Sequence, residues 1–254
     1  MIVLITNDDG IYSEGIKLLA KKFSSFGKVF VIAPDRERSA ISHAITFHHP
    51  IRVEEVNFGE NNIKAWSANG TPADCVKLAL DILLPQKPDI IISGINRGAN
   101  LGNDIFYSGT VSAALEGTLS GIPSIAVSLS IKNNTKDYEL DYTNAVNFTQ
   151  KTALKVLESG VPSTTALNIN VPNTNSINGT AVTKLGRVQY KNCFVKRIDP
   201  RGKIYYWLSG DIIEETQDND TDVWAVRNNY ISITPITLNL TNYEFIEVMK
   251  NWDF

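Results

Sequence analysis

Cysteine is almost missing. Cys75 and Cys193 are the only two in 254 residues, far apart and in no metal-binding spacing, which argues against a disulfide scaffold and against zinc. Histidine is nearly as scarce: His43, His48 and His49 share one short irregular stretch, where a solvated strand edge accounts for them. No apolar run approaches the roughly 18 residues that a membrane span needs, and no basic, then apolar, leader opens the sequence. The expectation is a cytoplasmic protein with no membrane partner. An excess of one charge is lacking too; the formal net charge is -3, which gives no reason to expect stable nucleic-acid binding. No Gly-x-Gly-x-x-Gly follows the first apolar run, no Gly-Lys-Ser/Thr ends a glycine-rich loop, and no Gly-x-Ser-x-Gly occurs. A dinucleotide fingerprint, a Walker loop and a hydrolase nucleophile elbow are thereby excluded. Internal repeats and low-complexity linkers are absent as well.

What is present is alternation. Residues 2–6 (IVLIT), 28–34 (KVFVIAP), 89–93 (DIIIS), 124–129 (SIAVSL) and 166–171 (ALNINV) are short, continuous apolar runs, the pattern of strands buried on both faces. Helical patterns separate them. Ser13 is placed to cap a helix whose stripe is Ile16, Leu19, Ala20 and Phe23. Thr71-Pro72-Ala73-Asp74 reads as a second helix start. A third helix runs from about Gly109 to Ser120, and a fourth over 141–159. The order implies βαβ units: an α/β fold, three layers, with a mostly parallel sheet. The pattern changes after about residue 180. Two alternating runs flank a turn at Asp199-Pro200-Arg201-Gly202, an extended run follows over 221–236, and a short helical stretch ends the chain. Residues 1–180 thus form the α/β core. Residues 181–254 form a hairpin and oligomerisation elements of the same domain, the exposed hairpin being a candidate for packing on another subunit.

In an open parallel sheet, ligands bind beyond the carboxyl ends of the strands. The polar chemistry sorts to that edge. The first strand ends in Asn7-Asp8-Asp9-Gly10, the second in Asp35-Arg36-Glu37-Arg38-Ser39, the third in Ser93-Gly94-Ile95-Asn96-Arg97-Gly98. Adjacent carboxylates repel, and a shared cation relieves them. With Ser39 and Asn96 they make an all-oxygen donor set, which suits magnesium or manganese. Ser108-Gly109-Thr110 opens a helix and so presents N–H groups to an anion. A cation site and an anion site on one rim suggest phosphoryl chemistry. Each piece also has a plain structural reading. Asp8-Asp9-Gly10 makes a turn and helix cap, Ser108 and Thr110 make ordinary caps, and 94–102 makes a flexible loop.

NDDG after the first strand, NGTPADCV (69–76), SGINRGAN (93–100), YSGTVSAALEG (107–117), GIPSIAVS (121–128) and LNINVP (167–172) together resemble the SurE family, the survival-protein-E nucleotidases. The resemblance runs in order from residue 1 to about 172. It implies a Rossmann-like catalytic core and a metal-dependent phosphatase acting on nucleoside monophosphates, with the 5′ and 3′ positions both open, and one divalent cation per subunit. It puts the metal ligands on Asp8, Asp9, Ser39 and Asn96, with Asp8 and Asp9 catalytic. Asn7, Ser108, Gly109 and Thr110 fall in the phosphate- and substrate-binding set. It implies a homodimer or homotetramer built through C-terminal elements. Water or a carboxylate of the pair is the attacking group. Two other readings of an acidic pair after a first strand are a calcium-dependent nucleoside hydrolase and a receiver-type phospho-acceptor module. The second is disfavoured by Ser93-Gly94 where the acceptor aspartate would stand.

Overall fold

The computed structural model describes residues 1–132, 135–213 and 217–253. In chain order the elements are β1 (Ile2–Thr6), α1 (Glu14–Ser24), β2 (Lys28–Pro34), β3 (Val53–Val56), β4 (Ile63–Ala68), α2 (Pro72–Leu78), β5 (Ile90–Arg97), α3 (Gly109–Leu119), β6 (Ser124–Ser130), α4 (Thr143–Ser159), β7 (Thr165–Pro172) and β8 (Gly179–Val182). After these come β9 (Gln189–Lys191), β10 (Phe194–Ile198), β11 (Ile204–Leu208), β12 (Asp211–Ile213), α5 (Asp222–Arg227), β13 (Tyr230–Thr237) and α6 (Tyr243–Met249).

Nine strands form one sheet in the order β3-β4-β2-β1-β5-β6-β7-β13-β8. The six from β4 to β7 are mutually parallel; β3 pairs antiparallel with β4 and β13 antiparallel with β7, while β8 runs parallel to β13. The chain grows outward from β1 to β2 and β4, then returns to place β5 on the other side of β1. The order therefore reverses between β1 and β5, and the loops leaving these strands diverge to opposite faces, opening a crevice at the carboxyl edge.

The continuous apolar runs follow from burial on both faces. Val3 and Ile5 of β1, Ile90 and Ile92 of β5, and Ile125 and Val127 of β6 pack under α1 and α4. Leu4 and Ile91, one residue out of phase, pack with Cys75, Val76 and Ala113 of α2 and α3. Period-two alternation sends each strand's side chains to both layers. Helix α2 starts as its sequence predicts: Thr71 Oγ1 accepts from the Asp74 N–H at 3.1 Å, and Asp74 Oδ2 accepts from the Thr71 N–H at 2.9 Å.

Three expectations are corrected. The third strand does not stop at Ser93; β5 continues to Arg97 across an irregularity between Ser93 and Asn96, so the SGINR stretch is strand rather than flexible loop. The extended run over 221–236 contains a helix, α5, because the Thr221 side chain accepts from the Trp224 N–H and closes its first turn. The histidines lie outside any strand, and His43 has a specific partner described below.

The segment after residue 180 is woven into the core. Strand β13 pairs with β7 from Ser232↔Asn170 to Thr237↔Thr165. Asp222 is fully buried and accepts from the Gly186 N–H at 2.7 Å and the Gly102 N–H at 2.8 Å. Asn103 and Asp104 add bonds to Val188 and Tyr190. The turn before α3 therefore rests on C-terminal residues. The expected hairpin is present: Asp199 accepts from the Gly202 N–H at 2.9 Å, and Gly202 takes the left-handed φ of 81° that the turn requires. Strands β10 and β11 carry Phe194, Ile198, Trp207 and Leu208 exposed.

Asp222→Ala leaves the amides of Gly102 and Gly186, and that of its own neighbour Val223, without their acceptor. It should lower stability by about 3 kcal/mol, the scale of two long-range hydrogen bonds to a charged group, as read by urea unfolding. Asp222→Asn, which keeps one acceptor oxygen, should lose less. Equal stability of all three proteins would show that this carboxylate does not hold the turn.

Candidate active site

Chain direction reverses immediately after β1, and Asn7 makes the turn. Its Oδ1 accepts from the Gly10 N–H at 3.1 Å, and its Nδ2 donates to the Gly10 carbonyl at 3.0 Å and to Ser13 Oγ at 2.7 Å. Both ends of the Asn7 amide, expected to meet substrate, are thus engaged inside their own loop. Ser13 occupies the cap position of α1 but makes no side-chain cap bond; its hydroxyl is taken by Asn7 instead. This turn presents Asp8 and Asp9 at the crevice between β1 and β5.

Three further segments converge on the pair. From the loop after β2, the Arg38 N–H donates to the Asp8 carbonyl oxygen at 2.7 Å, which brings the next residue, Ser39, to the site. Ser39 is exposed, and its Oγ donates to Glu37 Oε1 at 2.6 Å. From the end of β5, the Arg97 N–H donates to Asp9 Oδ2 at 2.9 Å, placing Asn96 alongside. Asn96 Nδ2 donates to the Gly98 carbonyl at 2.8 Å. From α3, the Thr110 hydroxyl donates to Asp8 Oδ1. Ser108 Oγ accepts from the Val111 N–H at 3.1 Å, so Ser108 caps the helix. A Cβ on Gly109 would lie 2.8 Å from the Asp8 Cβ; only glycine lets the helix end approach so closely.

The electrostatics follow from this crowding. Burial pushes the Asp8 carboxyl above the ordinary carboxylate range, against the lowering effect of the bonds from Thr110. Asp9 is pushed up to about 7, first by burial and then by the charge of Asp8, with Glu37 adding to the rise and the Arg97 N–H opposing it. The Arg97 guanidinium pairs with Asp137 at 2.7 Å rather than with either carboxylate of the pair. Among the described residues no group of three or more His, Cys, Asp or Glu side chains is placed to hold a metal. The donors at hand are two carboxylates with the neutral oxygens of Ser39 and Asn96. Such a set fits a hard divalent cation that keeps part of its water shell, and the unrelieved repulsion between Asp8 and Asp9 fits it as well.

Residues 3–192 match the family described as survival protein SurE. The chain belongs to the SurE family. Among its relatives, proteins named 5′-nucleotidase SurE include one from Moorella thermoacetica, 49% identical over 96% of this chain and 93% of its own. Another, from Natranaerobius thermophilus, is 50% identical over 100% of this chain and 99% of its own. The crystal structure of the SurE protein from Aquifex aeolicus is 41% identical and covers 98% of each chain, with a TM-score of 0.84. The fold expected from the SurE resemblance is therefore the one observed.

Sequence reading missed one group near the site. His43 Nε2 lies 2.8 Å from Glu116 Oε2, and Lys77 Nζ lies 3.3 Å from Glu116 Oε1. The bond from His43, then that from Lys77, holds the Glu116 carboxyl below its ordinary range despite partial burial. The signal was a lone acid inside the small, apolar helix GTVSAALEGTL, where an unpaired charge is costly.

The raised Asp9 carboxyl makes stability depend on pH. The folded state holds this proton up to about pH 7, whereas the unfolded chain releases it near 4. Stability of the metal-free protein should therefore rise as pH falls from about 8 to about 5. Urea midpoints across that range should show the rise, and Asp9→Asn should flatten it. An unchanged slope in Asp9→Asn would remove Asp9 as its source.

Proposed function

We propose that this SurE-family chain is a metal-dependent phosphatase that hydrolyses nucleoside monophosphates to nucleoside and phosphate, with one magnesium or manganese ion per subunit. The names of its full-length relatives support the reaction. The observation that carries the mechanism is the step Asp8-Asp9: two adjacent, desolvated carboxylates, Asp8 held against the N-terminus of α3 and Asp9 against the Arg97 amide.

Asp8, Asp9, Ser39 and Asn96 would hold the ion. When bound, it supplies positive charge that polarises a phosphoryl oxygen and acidifies water. Thr110 fixes Asp8, and the Arg97 N–H fixes one oxygen of Asp9, so neither carboxylate has to reorganise during reaction. The N-terminus of α3 would lay the positive end of its dipole beside the phosphoryl group and so favour charge developing on the phosphoryl oxygens. Ser108 and Gly109 keep that helix end in place, and Asn7 keeps the aspartate turn in place. We assign the attack on phosphorus to water. Asp8 is only 4% exposed and hydrogen-bonded, a poor position from which to attack phosphorus itself. The cytoplasm is the compartment of this reading, consistent with two free cysteines; no helix among the described residues is long and apolar enough to cross a membrane.

Phosphate release from nucleoside monophosphates tests the proposal. Activity should vanish in chelator after removal of bound metal and return with magnesium or manganese. Asp8→Asn and Asp9→Asn should each lose at least roughly 100-fold, the scale of removing one electrostatic stabiliser, and the double variant should lose little more, because the two act as a unit. As a turn and cap alone, the pair would tolerate asparagine with near-normal turnover. Release of free base instead of phosphate would favour a nucleoside hydrolase.

We also infer a homodimer or homotetramer assembled through the C-terminal hairpin. A two-stranded hairpin is marginal by itself in water, yet β10 and β11 leave Trp207 64% and Leu208 74% exposed. Sedimentation should give a dimer or tetramer, and Trp207→Ser with Leu208→Ser should shift it toward monomer. A wild-type monomer at all working concentrations would contradict the assignment.

A further inference from the structure

The segment that carries Ser39 has no regular structure of its own. Between β2 and β3, residues 35–52 form neither helix nor strand. Within it, Ala40 and Ser42 take left-handed φ values of 54° and 56°, which residues with a side chain rarely adopt unless held there. The hydroxyl of Ser39 bonds to Glu37 of the same segment, so the place of Ser39 relative to Asp8 and Asn96 is set by anchors on either side of it. Before it, the Arg38 N–H donates to the Asp8 carbonyl oxygen. After it, the segment crosses the start of α3, with Ile41 against Gly109. Ser42 donates from its N–H to the Tyr107 carbonyl at 2.9 Å and from its Oγ to the Phe106 carbonyl at 2.7 Å. His43 meets Glu116. Beyond it, Thr71 Oγ1 donates to the Ala44 carbonyl at 2.7 Å, and the Thr46 N–H donates to the Asp74 carboxylate.

These anchors differ in kind. Each of the others uses a backbone group on at least one side, and backbone groups recur at every residue. They hold the segment without fixing which residue sits where. The contact of His43 with Glu116 joins two side chains and exists in one register. It also has the most at stake, because the Glu116 side chain is only 9% exposed and stands among the small, apolar residues of α3. A carboxylate so placed needs donors. Lys77 is the other donor, but it belongs to α2, its side chain is 51% exposed, and its bond says nothing of where the segment lies. Glu116 therefore selects the one position of the segment that delivers His43.

We propose that Glu116, acting through His43, is a positioning residue for the cation site: the pair fixes the register of residues 38–43 and so holds Ser39 among the donors that take the ion. This rests on the cation site of the reading above. Neither Glu116 nor His43 is a ligand of the ion, and the scale of such indirect support is about 10–100-fold in metal affinity.

The test titrates metal-free protein with Mn²⁺ and follows the free ion by its paramagnetic resonance signal. His43→Ala leaves the negative Glu116 less compensated, which by charge alone would strengthen cation binding. Positioning predicts the opposite: Mn²⁺ should bind about tenfold or more weakly. His43→Gln, whose amide can donate with the same reach, should recover most of the loss. Lys77→Ala strips the other donor from the same carboxylate but leaves the segment alone, and should change affinity by less than about twofold. Added to Ser39→Ala, His43→Ala should cost little more than Ser39→Ala alone, because the effect travels through that hydroxyl. Glu116→Ala should likewise cost little when added to His43→Ala. Thermal unfolding establishes which variants are folded; His43 is partly exposed, so its variants keep the test available if Glu116→Ala fails to fold. Unchanged or tighter Mn²⁺ binding in folded His43→Ala, equal losses in His43→Ala and Lys77→Ala, or full additivity with Ser39→Ala would each overturn the proposal. A wild-type protein that binds no Mn²⁺ would overturn the cation site, and the proposal with it. One that binds Mn²⁺ yet releases no phosphate from a nucleoside monophosphate would overturn the phosphatase reading alone.

Discussion

Everything at the carboxyl edge is registered on the carboxylate of Asp8. Its side chain receives the Thr110 hydroxyl, its carbonyl receives the Arg38 N–H, and its Cβ touches the space where any side chain on Gly109 would be. A carboxylate so buried is tolerable only with donors or a positive partner at hand. The N-terminus of α3 supplies the donors, because its first amides have no partner within the helix. The choice of glycine at 109 and threonine at 110 is thus tied to the identity of residue 8, more than a hundred residues away in sequence. Asp9 then adds a second charge that the helix end does not neutralise, since its one described bond goes to the Arg97 amide on the other flank.

The sheet's topology explains why this conflict sits where it does. Strand order reverses between β1 and β5, and the loops leaving these two strands part to opposite layers. Backbone amides there are free to be aimed at a ligand, and both helix layers are within reach. One layer contributes the helix end that crowds Asp8, and the other contributes the open flank of Asp9. An acidic pair in the middle of either layer would have had to be neutral. At the seam the Thr110 hydroxyl and the Arg97 amide are at hand to offset part of that cost.

The core was legible because parallel strands covered on both faces leave long apolar runs, and β1, β2, β5, β6 and β7 all carry them. The acidic pair, Ser39, Asn96 and the start of α3 were legible as polar loops ending those runs. What escaped detection was decided at longer range. Glycine at 94 reads as a break, yet β5 absorbs it within an irregular stretch of pairing. Helix α5 has only six residues, too few for a period to emerge among its β-branched and aromatic neighbours. Asn7 and Thr110 were legible as polar residues at the edge, but not their partners in the fold, Gly10 and Ser13 for the one and Asp8 for the other. His43 found Glu116 across 73 residues, a pairing that no local pattern contains.

Strand β13 has a bearing on how the chain is made. It pairs with β7 from Thr165 to Asn170, so for some sixty residues of synthesis after β7, by the numbering of the two strands, the last parallel strand has an unpaired edge. Its buried side chains have a sheet to rest on, but its outward amides and carbonyls are open to any other extended segment. Closing such a distant antiparallel pair is intrinsically slow. The nascent protein therefore passes through a stage in which its aggregation risk is concentrated at one edge, and arrival of residues 230–237 ends that stage.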